Sequence, residues 1–139
     1  MSVIQAIPNP ELYVNDLARL PQLARPLLQV ILPEEVRDLR AQPSFAMEAG
    51  RSAKTLVKYP DLRVVLMTMK AGAHLEPHKT NARFALLCLS GHVRMHLDDA
   101  SVDATAGELL AVDRDLSHAV EAVRESSILL FMAWPSAGC

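Results

Sequence analysis

The sequence predicts a mainly-β protein, with a single barrel or sandwich domain over residues 51–139 preceded by a short helical arm over residues 1–50. Three observations carry this reading. Prolines 8, 10, 21, 26, 33 and 43 crowd the first part of the chain, whereas past residue 50 short runs of Val, Leu, Ile and Met are separated by turn residues. Those runs succeed one another at sandwich or barrel spacing, with no helix-length segments between them, which argues against βαβ units. At 139 residues and 50% apolar side chains, the chain can bury one core but is too short for two full domains.

The arm opens with Asn9-Pro10-Glu11, an N-cap followed by proline at the first helical position, and Tyr13, Leu17 and Leu20 recur at i, i+4 and i+7. That pattern predicts a short amphipathic helix. Pro21, Pro26 and Pro33 interrupt the rest of the arm, so helical pieces are expected over residues 25–31 and 33–39. The second has Glu34 and Glu35 at its start and Arg37 and Arg40 near its end, as the helix dipole favours. A DNA-reading helix-turn-helix is the alternative for this arm. It is disfavoured because residues 1–50 carry 4 basic and 6 acidic side chains, and because prolines sit where a recognition helix must be continuous.

Strands are predicted over residues 54–59, 63–70, 84–90, 92–97, 102–105, 109–112, 119–123 and 127–134, with turns at Pro60-Asp61, Asp98 to Ser101, Ala106-Gly107, Arg114-Asp115 and Arg124-Glu125. Three strands are apolar on both faces. Val64, Leu66 and Thr68 alternate with Val65, Met67 and Met69, and residues 84–89 and 128–133 behave alike. A strand with one wet face alternates apolar with polar. The outer faces here must therefore be covered, by the arm, by another subunit or by both, and a twofold homodimer is expected. His92, Arg94 and His96 share the polar face of their strand, and the methionines read as core filling.

Charge and composition narrow the function. Fourteen Lys and Arg against 16 Asp and Glu, with no basic block, argue against nucleic acid as a partner. The N-terminus lacks the basic and apolar regions of a signal peptide, and no apolar run reaches membrane-spanning length. The two cysteines, Cys88 and Cys139, suit a reducing cytoplasm better than a disulfide framework.

Two blocks of glycine and histidine carry the chemistry. The first runs Gly72-x5-His78-x-Thr80 and on to Gly91; the second runs Gly107-x10-His118. They resemble the cupin family of small jelly-roll β-barrels, whose members show G-x5-H-x-H-x3-4-E-x6-G followed by G-x5-P-x-G-x2-H-x3-N. Gly72, His78 and Gly91 keep the spacing of the first block, and Gly107 and His118 keep that of the second. The resemblance covers roughly residues 53–134 and implies a cupin-like jelly-roll barrel. Thr80 stands where the second histidine would be and Phe84 where the glutamate would be, while Asp113, Asp115 and Ala122 replace the second block's proline, glycine and asparagine.

Two of the family's four metal ligands are thus missing. Zinc takes four tetrahedral ligands, or three and a water, and oxygen-activating iron takes two histidines and a carboxylate. His78 and His118 supply two. A third ligand could come from Glu76 or His74, which share parity with His78 if that stretch is extended. Two readings stay open. In the first, the chain is a small-molecule-binding cupin with a reduced or absent metal site, in which His78, Thr80 and His118 face the apolar walls Phe84, Leu86 and Cys88. In the second it is a metal-dependent cupin enzyme, of dioxygenase or isomerase type, with a single divalent transition metal on His78, His118 and Glu76 or His74. No catalytic residue is singled out by either.

Overall fold

The computed structural model describes residues 22–47, 49–78 and 80–135, with the side chains of Pro77 and His78 outside that description. The arm contributes α1 (Leu32–Arg40) and the single turn α2 (Pro43–Ala46). Nine strands come next: β1 (Arg51–Lys58), β2 (Leu62–Met69), β3 (His74–His78), β4 (Arg83–Ser90), β5 (His92–Leu97), β6 (Ser101–Thr105), β7 (Leu109–Val112), β8 (His118–Ala122) and β9 (Ser126–Ala133). They form two antiparallel sheets, one of five strands in the order β1-β2-β9-β4-β7 and one of four in the order β3-β8-β5-β6. This is a jelly-roll sandwich.

Alternation along each strand sorts the side chains. Val65, Met67 and Met69 of β2, Phe84, Leu86 and Cys88 of β4, Val93 and Met95 of β5, and Ile128, Leu130 and Met132 of β9 point between the sheets and form one buried cluster. The outward residues of the large sheet, Leu56, Val64, Leu66 and Leu129, form a second cluster with Leu39 of α1. The coverage expected of both-face-apolar strands therefore comes, over β1, β2 and β9, from the chain's own arm. Each large apolar side chain so covered contributes about 1.5–3 kcal/mol. Glu35 of α1 bonds Lys54 of β1, and Arg40 reaches Glu125 at 3.2 Å.

The helix starts at Leu32 with Pro33 in its first turn, followed by Glu34 and Glu35, and ends with Arg37 and Arg40 in its last turn. This matches the expected piece over residues 33–39. The piece expected over residues 25–31 is not a helix. Leu28, Val30 and Leu32 are half-buried while Leu27, Gln29 and Ile31 are exposed, a two-residue period that marks extended chain. Proline at both ends of so short a stretch leaves no room for a helical nucleus. The helix expected from Asn9 onward lies outside the described residues.

Among the described residues four glycines have positive φ, and three of them are motif positions: Gly72 (87°), Gly91 (92°) and Gly107 (86°). At Gly91 crowding adds to the conformational demand, since a Cβ there would stand 2.3 Å from the Glu125 carbonyl oxygen and from Ser126 Oγ. Asp115, which replaces the second block's glycine, also has positive φ, at 66°. Aspartate is among the few residues that tolerate this conformation, and the Asp115 amide donates to the Thr80 carbonyl at 2.8 Å. Among the described residues, no helix is long and apolar enough to cross a membrane.

Candidate functional site

The interior between the sheets is apolar apart from one end. There Phe84 of β4 pairs in register with Met132 of β9 on one side and Val112 of β7 on the other, and Met132 in turn pairs with Arg63 of β2. Residues directly opposite in a ladder share a face, so Arg63, Met132, Phe84 and Val112 make one inward row across the large sheet. His118 of β8 comes from the opposite sheet and packs against Phe84, ring centroids 4.5 Å apart and planes tilted by 39°. Leu97 of β5 lies in register beside His118.

His118 is almost wholly buried, and its Nδ1 lies 3.1 Å from the Leu116 carbonyl oxygen. A carbonyl only accepts, so this contact makes Nδ1 the protonated nitrogen and leaves Nε2 as an acceptor in the neutral ring. The expected walls Phe84, Leu86 and Cys88 are all buried and inward. Burial, with a contribution from Glu108, pushes the Cys88 thiol pKa up, so this sulfur stays protonated. Thr80 accepts a bond from the Ala82 amide through its hydroxyl oxygen (3.2 Å) and so caps its own loop.

The backbone of β3 places two members of the proposed metal set, His74 and Glu76, and gives the register of His78. His74 and Leu75 pair with Glu121 and Val120, and His78 pairs with His118. β3 therefore advances three residues where β8 advances two. The slip falls at Glu76-Pro77, where proline has no N–H to give the ladder. It breaks the parity that would have put His74, Glu76 and His78 on one side. His74 and Glu76 are exposed, with 60% and 79% of their side-chain surfaces in solvent, and bond each other at 2.9 Å. Neither joins His118. Only the backbone register of His78 is described, and it sets that residue opposite His118.

These residues do not fit the family's metal centre. The position of its glutamate is filled by a phenyl ring in contact with the buried imidazole, that of its second histidine by a threonine whose hydroxyl oxygen accepts from the Ala82 amide, and the substitute ligands His74 and Glu76 are exposed. Among the described residues no group of three or more His, Cys, Asp or Glu side chains converges in a metal-holding arrangement.

Arg63 and Trp134 escaped sequence reasoning. Arg63 is only 3% exposed, and its guanidinium carbon lies 4.8 Å from the centre of the Trp134 ring. The indole N–H donates to Asn81 Oδ1 at 3.0 Å. A signal was present in the sequence, because Arg63 is the lone charge at the inward parity shared by Val65, Met67 and Met69. On the opposite, outward side of the large sheet, a cavity of about 300 Å³ opens over Ala85, Ala111, Ala133 and Phe131, with Arg83 and Asp113 paired at 3.2 Å on its rim.

The outer face of the small sheet is polar, as expected of His92, Arg94 and His96. Asp103 accepts from Arg94 at 2.7 and 3.1 Å and pairs with His92 at 2.8 Å, while His96 lies between Ser101 (2.8 Å) and Glu121 (2.5 Å). The bonds from Arg94 and then His92 hold the Asp103 carboxyl down at about 2.

No family model and no curated protein matches the chain by sequence. Solved structures do match by shape. A conserved protein of unknown function from Streptococcus pyogenes superposes with a TM-score of 0.61 at 22% identity, covering 66% of this chain and 80% of that one. A cupin-2 domain protein from Shewanella frigidimarina gives 0.61 at 12% identity over 76% and 94%. A glycine-to-alanine variant of salicylate 1,2-dioxygenase from Pseudoaminobacter salicylatoxidans gives 0.70 at 14% identity, over 80% of this chain and 36% of that one. The chain has the cupin fold. Its neighbours in fold include enzymes and proteins of unknown function.

Proposed function

We propose that this chain is a small-molecule-binding cupin that works without the four-ligand metal centre of its fold family. The observation that supports this reading is the Phe84 ring packed on His118 at 4.5 Å, where a metal-binding relative would hold a carboxylate. An imidazole packed on Phe84, with Leu97 beside it in the ladder, suits recognition of a small, partly apolar ligand with one or two polar atoms.

Metal analysis of freshly purified protein, followed by titration with iron(II), zinc and manganese(II), tests the reading. Substoichiometric metal and no tight binding are expected. Phe84→Glu, which returns a carboxylate beside the imidazole, should raise zinc affinity. Stoichiometric, tightly held metal in the unaltered protein would overturn the reading in favour of a metal-dependent enzyme.

We also propose that two copies associate through the outward face of β7 and the adjoining part of β4, where Leu109 is 61% exposed. Light scattering should give about twice 15.3 kDa. A monomer at micromolar concentration would refute it.

A further inference from the structure

The outward face of the large sheet is covered unevenly. Leu39 of α1 and the half-buried Val30, Leu32 and Val36 pack on the outward cluster of β1, β2 and β9. Beside Phe131 the cavity of about 300 Å³ opens over Ala85, Ala111 and Ala133. Its floor is three methyl groups, apolar and too short to fill the space above them, and Ala111 and Ala133 are exposed. The charge in its walls is the rim pair of Arg83 and Asp113.

The arm comes down onto the barrel at this same end of the sheet. Tyr59 follows β1, and its hydroxyl donates to the Arg25 carbonyl at 2.7 Å. The Tyr59 amide bonds the Leu62 carbonyl, Leu62 pairs with Ala133, and Ala133 pairs with Arg83. These four residues make one outward row that runs from the arm to the cavity rim. Leu23, two residues before Arg25, is buried.

Three strand spacings, about 14 Å, separate the two ends of that row. Leu17 lies eight residues before Arg25. With half of that chain helical and half extended, it spans about 19 Å. The cavity is thus within reach of residues 9–20, for which the sequence predicts an amphipathic helix with Tyr13, Leu17 and Leu20 on one face.

We propose that residues 9–20 dock on this cavity of their own chain, with Tyr13, Leu17 and Leu20 set over Ala85, Ala111 and Ala133. The docked segment carries the cover that α1 gives β1, β2 and β9 onward over β4 and β7. Small floor residues let bulky side chains come close to the sheet, and the contact removes apolar surface from water on both sides. Glu11, Asp16 and Arg19 fall outside the face formed by Tyr13, Leu17 and Leu20, so docking buries no charge of the segment. Leu109 lies further along β7 than Ala111 and stays available to the contact between copies.

Thiol labelling of the full chain tests the proposal. Cys139→Ser removes the terminal thiol, and Cys88 is buried, so Ala111→Cys in that background supplies the thiol that a maleimide meets. It should be labelled at least about tenfold more slowly than Asp99→Cys in the exposed turn after β5. Adding Leu17→Asp and Leu20→Asp should bring the two rates together while the thermal melt stays cooperative. The protection should also be independent of protein concentration, because the segment belongs to the same chain. Ala133→Cys repeats the measurement from β9 if Ala111→Cys does not fold.

Labelling of both cavity variants as fast as Asp99→Cys would overturn the proposal. So would protection that survives Leu17→Asp and Leu20→Asp, which would give the cavity to another occupant. Protection that is lost on dilution would overturn it in favour of a second copy.

Discussion

Phe84→Ala probes the packing on which the candidate site depends. The ring is 4% exposed and faces His118 at 4.5 Å, between Met132 and Val112 in the inward row. Removing a buried phenylalanine ring costs about 3–5 kcal/mol through lost transfer energy and the cavity left behind, and a well-placed aromatic pair accounts for about 0.5–1.5 kcal/mol of that. A loss of about 4 kcal/mol is expected here. With a urea slope of about 2 kcal/mol/M for a domain of this size, the unfolding midpoint should fall by about 2 M. Urea unfolding monitored by far-ultraviolet circular dichroism measures it. A double-mutant cycle with His118→Ala should return a coupling of about 1 kcal/mol. A loss below about 1 kcal/mol, or additive effects of the two changes, would refute the view that the ring and the imidazole form a packed unit in the barrel.

Gly91→Ala should destabilise far more than Gly107→Ala. Both have positive φ, but only at Gly91 does a Cβ meet backbone, at 2.3 Å. Gly107→Ala should cost about 1–2 kcal/mol and Gly91→Ala should prevent stable folding, both read by thermal melting. Asp103→Asn removes a carboxylate whose folded value of about 2 lies below its ordinary 3.8. Because that value is depressed on folding, the stabilisation is present above about pH 4 and disappears as pH falls toward about 2. The melting temperatures of parent and variant should therefore differ at neutral pH and converge over that window. Glu35→Gln breaks the pair that docks α1 on β1 and should lower stability by about 0.5–1 kcal/mol, with the difference shrinking in high salt.

Where burial is set directly by strand parity, the structure was legible in the sequence. Eight of the nine strands, and the inward placement of Phe84, Leu86 and Cys88, emerge from two-residue alternation and turn residues, because a strand has no other way to hide one face. β3 was missing from the predicted strands because His74-Leu75-Glu76-Pro77-His78 carries one apolar side chain inward and a proline, too little for a periodic signal. The slip inside it also defeated the parity argument for Glu76 and His74, since register depends on the partner strand and cannot be counted along one chain. Residues 25–31 looked helical for a similar reason: short apolar runs do not separate a helix from extended chain. Arg63 stands out in the sequence as the lone charge at the inward parity of its strand, but its neighbours are set only when β2, β9 and β4 align Arg63, Met132 and Phe84 in one row.

The slip at Glu76-Pro77 bears on any pattern that counts residues. His78 keeps its place opposite His118 although the chain between Leu75 and His78 is one residue longer than the ladder requires. The surplus is taken up in a segment whose Glu76 projects into solvent, so β3 behaves as an expansion joint: chain length there can change by one while both ends stay in phase with β8. A variant lacking Pro77 would regain an unbroken ladder and keep Leu75 and His78 on their present partners. Spacing between a motif glycine and a motif histidine thus measures contour length, and two chains with different spacings can present the same sheet.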